Sequence, residues 1–124
     1  MSAQQIIAVI KSVQFGYATE AELQTQLLDL LKGEQLDVVP EFRLSARDRV
    51  DFLVNLPQCK IALECKIKGA PATVVAQLAR YAESPEVTEI VLVTSVRKHL
   101  AAEAFREREI LGKPLHGVWV GGMR

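Results

Sequence analysis

The feature that most constrains this fold is a continuous apolar run, Ile90-Val91-Leu92-Val93, within the segment from Glu89 to Thr94. Strands with one face in water alternate apolar and polar residues, whereas strands covered on both faces lack a polar side. We therefore expect this segment to be the central strand of a sheet that carries helices on its faces.

Three segments with period-two alternation precede this strand. Such alternation predicts β-strands, and the short connections between the segments predict antiparallel neighbours. The sequence Gly69-Ala70-Pro71 then ends this part of the sheet. The predicted strands are Val38 to Leu44, Val50 to Leu56 and Lys60 to Lys68.

Helical periodicity surrounds the strands. The clearest helix begins after Thr19, an N-cap residue with Glu22 as its capping-box partner, and ends at Gly33. The order ααβββαβαβ predicts an α/β fold, a mixed (α+β) sheet flanked by helices, as a single domain over residues 1–124. The remaining predicted elements are helices Ala3 to Val13, Ala72 to Glu83 and Arg97 to Leu111, and a strand Leu115 to Val120.

Charge and composition exclude several classes of protein. Lys and Arg total 15 and Asp and Glu total 15, so no overall basic field attracts nucleic acid or membranes. No apolar run reaches about 18 residues and no signal peptide is visible, which predicts a cytoplasmic chain without a membrane partner. Cys59 and Cys65 lack metal-ligand spacing and are expected to be free thiols. The absence of a Gly-rich phosphate loop argues against an organic cofactor.

Two acidic residues stand inside predicted strands. Asp51 interrupts an apolar strand, and Glu64 shares one face of the next strand with Lys66 and Lys68. A charge in such a place is costly unless it is paired or liganded, and two carboxylates suit Mg²⁺ or Mn²⁺. Two plainer interpretations stay open: an edge strand whose Glu64 and Lys66 face solvent, and a salt bridge from Asp51 to Arg47 or Arg49.

Helical positions add further candidates. Glu20 aligns with Leu23 and Leu27 toward the core, although a first-turn acid is also favoured by the helix dipole. Gln77 and Tyr81 are four residues apart and share a helix face, which an ordinary helix rim would also explain. Weaker candidates, with the roles we expect for them, are Glu41 (near the metal or paired with Arg43), His116 and Trp119 (packing) and His99 (solvated).

Together these residues resemble a known family. Asp51, then Glu64-Cys65-Lys66, then Gln77-Leu78-Ala79-Arg80-Tyr81, with Glu20 upstream, resemble the PD-(D/E)XK nuclease superfamily over roughly residues 18–96. The likeness is greatest to small stand-alone members, such as Holliday-junction-resolvase-like and restriction-like nucleases. One departure is Val50, which stands where the motif has its first Pro. The resemblance implies a restriction-endonuclease-like core.

The resemblance also implies roles for individual residues. Asp51, Glu64 and the Cys65 carbonyl would hold Mg²⁺ or Mn²⁺, with Glu20 as an outer ligand, and Lys66 would position the attacking water. Gln77 would orient Lys66 or the scissile phosphate. The implied DNA-contacting residues are Lys68, Gln77, Arg80 and Tyr81.

The expected activity is therefore a Mg²⁺- or Mn²⁺-dependent phosphodiesterase that acts on DNA, in repair or recombination. Because the chain has no net charge, a homodimer would help by doubling the DNA-contacting surface. The alternative is a non-catalytic module with a nuclease-like fold that binds DNA or another protein.

Overall fold

The computed structural model describes residues 1–121 and contains one six-stranded mixed sheet with helices on both faces. This confirms the predicted fold class. None of the helices in this part of the chain is long and apolar enough to cross a membrane. The elements are α1 (Ala3–Lys11), α2 (Glu20–Gly33), β1 (Asp37–Arg43), β2 (Arg49–Asn55), β3 (Lys60–Lys66), α3 (Pro71–Ala82), β4 (Glu89–Thr94), a 3₁₀ helix (Arg97–Ala101), α4 (Glu103–Glu107), β5 (Glu109–Ile110) and β6 (Lys113–Trp119).

The strand order in the sheet is β1-β2-β3-β4-β6-β5. The pairs β1–β2 and β2–β3 are antiparallel, as the short connections predict, whereas β4 runs parallel to both β3 and β6. The apolar run in β4 therefore lies inside the sheet, and all four of its residues are buried. Register brings Glu64 beside Leu92, and Leu92 beside Gly117.

Each face of the sheet has its own core. Leu63 and Val91 pack with α1 and α2, whereas Ala62 and Ile90 pack with α3 on the opposite face. This division follows from alternation, because successive strand residues point to opposite faces.

Helix α2 begins as its sequence predicts. The Thr19 side chain accepts a hydrogen bond from the Glu22 N–H, and the Glu22 carboxylate accepts one from the Thr19 N–H. This capping box satisfies two N–H groups that the helix itself cannot pair. It sets the first turn of α2 firmly in place, and Glu20 belongs to that turn.

The prediction of one helix from Arg97 to Leu111 is wrong. A 3₁₀ helix and the short α4 occupy its first part, and β5 then pairs with β6 through Glu109–Pro114 and Ile110–Lys113. Leu111 and Gly112 join the two strands with φ of +49° and +79°, the sign that a tight hairpin turn of type I′ requires at both central positions. The hairpin overrides the helical periodicity.

Three expectations for the same region also need correction. His99 is fully buried instead of solvated, and its ring nitrogens lie 2.8 Å from Thr94 Oγ1 and 2.7 Å from the Gly69 oxygen. Trp119 is 42% exposed, with the Arg97 guanidinium 3.7 Å from its ring centre. His116 is not held by packing alone, because its Nε2 lies 2.9 Å from a Glu89 oxygen.

Candidate active site

The candidate site lies where the regular sheet is interrupted at Asp51. The β1–β2 ladder pairs Pro40 with Phe52 and Phe42 with Val50 but leaves out the position between them, and the β2–β3 ladder ends at the pair Phe52–Leu63. Asp51 therefore has no ladder partner among the described residues.

At this point backbone N–H groups donate their hydrogen bonds to carboxylates, where in a regular sheet they would donate to the carbonyls of a neighbouring strand. The Asp51 N–H donates to Glu64 Oε1 at 3.1 Å, and the Cys65 N–H donates to Asp51 Oδ2 at 2.8 Å. Hydrogen bonds from peptide N–H groups to carboxylates are among the stronger ones in proteins. Both acidic side chains are thus fixed by the backbone of the neighbouring strand.

A cleft of about 480 Å³ opens over these carboxylates. Helix α2 forms one wall through Glu20 and Gln24, and α3 contributes Gln77. The floor is the interrupted end of the sheet. Its lining residues from the strands are Pro40, Glu41, Arg49, Asp51, Phe52, Glu64 and Lys66.

Glu64 is the most buried acidic side chain of the site, at 3% exposure. Its Oε1 lies 3.2 Å from the Tyr81 hydroxyl, and its Oε2 lies 3.2 Å from Lys66 Nζ. Burial, followed by repulsion from Asp51, raises the pKa of Glu64 to about 7, against the opposing effect of Lys66. The alternative interpretation, an edge strand whose Glu64 faces solvent, is wrong, because β3 lies between β2 and β4 and Glu64 is buried.

Asp51 shares this environment. Burial raises the pKa of the Asp51 carboxyl, while the Cys65 N–H and the Gln24 amide favour its ionised form. The alternative salt bridge is wrong: Arg49 lies 3.5 Å from Glu41, and Arg47 forms no ion pair among the described residues. The pairing of Glu41 with Arg43 is likewise replaced by Arg49.

The chemistry of these donors fits a hard divalent cation. The Cys65 carbonyl lies on the same edge of β3 as its N–H, which points at Asp51, because both groups of a strand residue face one neighbour. Mg²⁺ typically takes one or two carboxylates and keeps several waters. Within residues 1–121 no group of three His, Cys, Asp or Glu side chains could hold a metal ion. The fit therefore depends on two carboxylates and a carbonyl.

Glu20 stands at the rim of the cleft. Its Oε1 accepts a hydrogen bond from the Ile67 N–H at 3.3 Å, just beyond the end of β3. Its side chain is half-buried, as the alignment with Leu23 and Leu27 predicts. This position suits an outer ligand that acts through water.

The two α3 candidates separate. Gln77 is half-buried and lines the cleft. Tyr81 is fully buried and leaves no surface for the DNA contact that its sequence position suggested. Its hydroxyl lies 3.2 Å from both Glu64 Oε1 and the Arg49 oxygen, so its place in the site is to hold Glu64. Burial and the nearby Glu64 raise the pKa of Tyr81, which keeps its phenol protonated.

The two predicted cationic DNA contacts lie outside the cleft. Lys68 is exposed beyond the end of β3. Arg80 is half-buried, and its Nε donates to Asp48 Oδ1 at 2.9 Å.

Cys59 and Cys65 are free, and burial raises the pKa of the Cys65 thiol well above its usual value, which leaves it unreactive.

Sequence reasoning missed two residues of this site. Gln24 stands one helical turn after Glu20 on the same face of α2, so the spacing of four residues could have identified it. Arg49 lines the cleft at the start of β2, and nothing in its local sequence distinguishes it from neighbouring arginines.

No family model, curated protein or solved structure matches the chain.

Proposed function

We propose that the chain is a metal-dependent nuclease that hydrolyses phosphodiester bonds in DNA, with this cleft as its active site. The observation that carries the proposal is the convergence of Asp51, Glu64 and Lys66 where the sheet is interrupted. Two carboxylates with raised pKa, both fixed by backbone N–H groups and facing a cleft, are typical of functional sites.

Asp51, Glu64 and the Cys65 carbonyl would hold Mg²⁺ or Mn²⁺, and Glu20 would reach it through water. A bound divalent cation supplies polarisation of the phosphate and lowers the pKa of a water molecule. Such a cation would also relieve the repulsion between the two carboxylates.

Lys66 is the residue best placed to assist the attacking water. Its ammonium group lies 3.2 Å from Glu64 Oε2, and its side chain is 20% exposed, at the boundary between the carboxylates and the cleft. There it can orient a water molecule and offset negative charge that develops on the phosphate oxygens. Gln77, on α3, can donate its amide hydrogens to the same phosphate.

In the proposed hydrolysis, the oxygen of water forms a bond to phosphorus and the bond from phosphorus to the leaving sugar oxygen breaks. The water releases a proton to solvent, and the leaving oxygen takes one up. The products are a phosphate monoester and a hydroxyl end.

The test is cleavage of a panel of linear, circular, single-stranded and four-way-junction DNAs with Mg²⁺, Mn²⁺ or chelator. We expect metal-dependent cleavage by the native chain and a loss of about 100-fold or more in Lys66→Met, because one electrostatic contact to the transition state is removed. Lys60→Met is the matched control. It changes the same residue type at the opposite end of β3, where Lys60 pairs with the exposed Glu86.

Equal cleavage by Lys66→Met and the native chain would contradict the proposal. Cleavage of no substrate with either metal would favour the non-catalytic binding module instead. We also propose that the protein is cytoplasmic, in line with its free thiols. We further propose that it forms a homodimer, which light scattering would test directly.

A further inference from the structure

We propose that a second, arginine-lined hollow beside the cleft binds a DNA backbone phosphate that neighbours the scissile one. This inference rests on the proposed function for its ligand, and it assigns residues outside the catalytic cleft to substrate binding. The arginine hollow is lined by Arg43, Arg47, Asp48, Arg49, Gln77 and Arg80.

Positive charge is concentrated in this hollow. Its volume is about 350 Å³, and its walls carry four guanidinium groups and one carboxylate, a net charge of +3. The whole chain has a net charge of zero, so the hollow is a local exception. Guanidinium groups bind phosphate through paired N–H donors, which makes arginine the usual residue for this contact.

The turn between β1 and β2 gives the hollow a defined shape. The Ser45 hydroxyl accepts hydrogen bonds from the Arg47 and Asp48 N–H groups, and the Arg43 side chain donates to the Ala46 oxygen at 3.0 Å. The turn is fastened to α3 by the 2.9 Å ion pair between Asp48 and Arg80.

Much of this charge is free to meet a ligand. Arg47 is exposed and pairs with no carboxylate among the described residues, and the Arg43 donors go to backbone oxygens. Arg49 faces Glu41 at 3.5 Å, but both side chains are more than half exposed, so this pair is weak. A phosphate can therefore compete for these guanidinium groups.

The hollow adjoins the active-site cleft. Arg49 and Gln77 line both, so the two cavities share a boundary formed by these side chains. A DNA strand with one phosphate over Asp51 and Glu64 would therefore pass directly over the arginines. The hollow would hold the strand while the cleft cleaves it.

The test is the salt dependence of binding to a short labelled DNA duplex, measured by fluorescence anisotropy in chelator so that no cleavage occurs. Affinity falls with salt, and each phosphate contact adds about 0.9 to the magnitude of the slope of log affinity against log salt, which is the slope compared here. We therefore expect Arg47→Gln to lower the slope by about 0.9 and to weaken binding about eightfold at about 0.1 M salt. Arg47 is exposed, so the variant should fold, which its melting curve will check.

Lys32→Gln is the matched control. It removes one exposed positive charge from the last turn of α2, about 18 Å along the helix from Glu20. Lys32 lines neither the cleft nor the arginine hollow and lies one turn beyond Leu28, the last α2 residue in the lining of the cleft. We expect the Lys32→Gln slope to equal that of the native chain. An Arg47→Gln slope equal to both would overturn the inference.

Two further arms separate the possible failures. Inorganic phosphate at constant ionic strength could raise the melting temperature of the native chain while the Arg47→Gln slope on DNA stays unchanged. That result would assign the hollow to free phosphate and overturn the DNA proposal. Metal-dependent cleavage by the native chain, together with an unchanged slope for Arg47→Gln, would support the nuclease activity and contradict DNA binding by the hollow. A lowered slope for Arg47→Gln without any cleavage would support DNA binding by the hollow and contradict the nuclease activity. No binding by the native chain would overturn the inference as well.

Discussion

Replacing Glu64 by Gln should stabilise the metal-free protein in alkaline solution. The native state raises the pKa of Glu64 to about 7 from an ordinary value of 4.5, so it binds the Glu64 proton more tightly than the unfolded chain does. Stability is therefore lost as the pH rises from about 4.5 to about 7, because the buried carboxyl must ionise. The amide introduced by Glu64→Gln would carry no charge and would keep an oxygen acceptor for the Asp51 N–H and the Tyr81 hydroxyl.

The magnitude follows from the two pKa values. The ionisation of Glu64 lowers the free energy of unfolding by about 1 kcal/mol at about pH 5 and by about 3 kcal/mol at about pH 8.5. The free energy of unfolding of Glu64→Gln, relative to that of the native chain, should thus grow by about 2 kcal/mol between these pH values.

Urea unfolding at the two pH values, in chelator, measures this difference. Glu107→Gln serves as the control, because Glu107 is exposed at the end of α4 and makes none of the contacts of the site. A stability difference between Glu64→Gln and the native chain that stays constant with pH would refute the reasoning. Added Mg²⁺ should narrow the gap at the higher pH, since a cation that binds ionised Glu64 stabilises only the native chain.

Two further substitutions test the packing around the site. His99→Ala should lower the free energy of unfolding by about 2–4 kcal/mol in urea titration, because it leaves a cavity and removes the ring nitrogens that lie within hydrogen-bond distance of Thr94 Oγ1 and the Gly69 oxygen. A loss under about 1 kcal/mol would contradict this. Gly117→Ala should lower the melting temperature by an amount equivalent to about 1–3 kcal/mol, since its new methyl carbon would overlap Leu100 Cδ2 and would lie 3.0 Å from Phe105 Cδ1 of the packed ring, and an unchanged melting temperature would contradict that.

The sequence predicts the part of the site that local geometry controls. Asp51 and Glu64 stand on neighbouring strands joined by a short turn, so a hairpin brings them together. Lys66 shares the Glu64 face by alternation alone. Glu20 is placed by a capping box whose residues are visible in the sequence.

The residues that sequence reasoning placed wrongly depend on distant partners. His99 follows two cations and resembles a solvated position, but its ring is held by a carbonyl 30 residues away. Tyr81 occupies a helix position that would suit a rim, and the β2–β3 packing above it decides that it is buried. The arginine hollow likewise forms only when the β1–β2 turn reaches α3. Neither periodicity nor spacing carries that information.

The interruption of the sheet at Asp51 explains how the site tolerates two buried acids. A regular ladder would give the N–H groups of Asp51 and Cys65 to strand carbonyls and leave each carboxylate without its backbone donor. Here those N–H groups bind the carboxylates, and each such charge-assisted bond contributes about 1.5–3 kcal/mol against the cost of burial. Val50 and Phe52 pack in opposite cores although they are two residues apart, so β2 also leaves its regular pleat at this point. The strand irregularity and the acidic pair therefore depend on each other, and a site of this kind can form only where the sheet gives up part of its own hydrogen bonding.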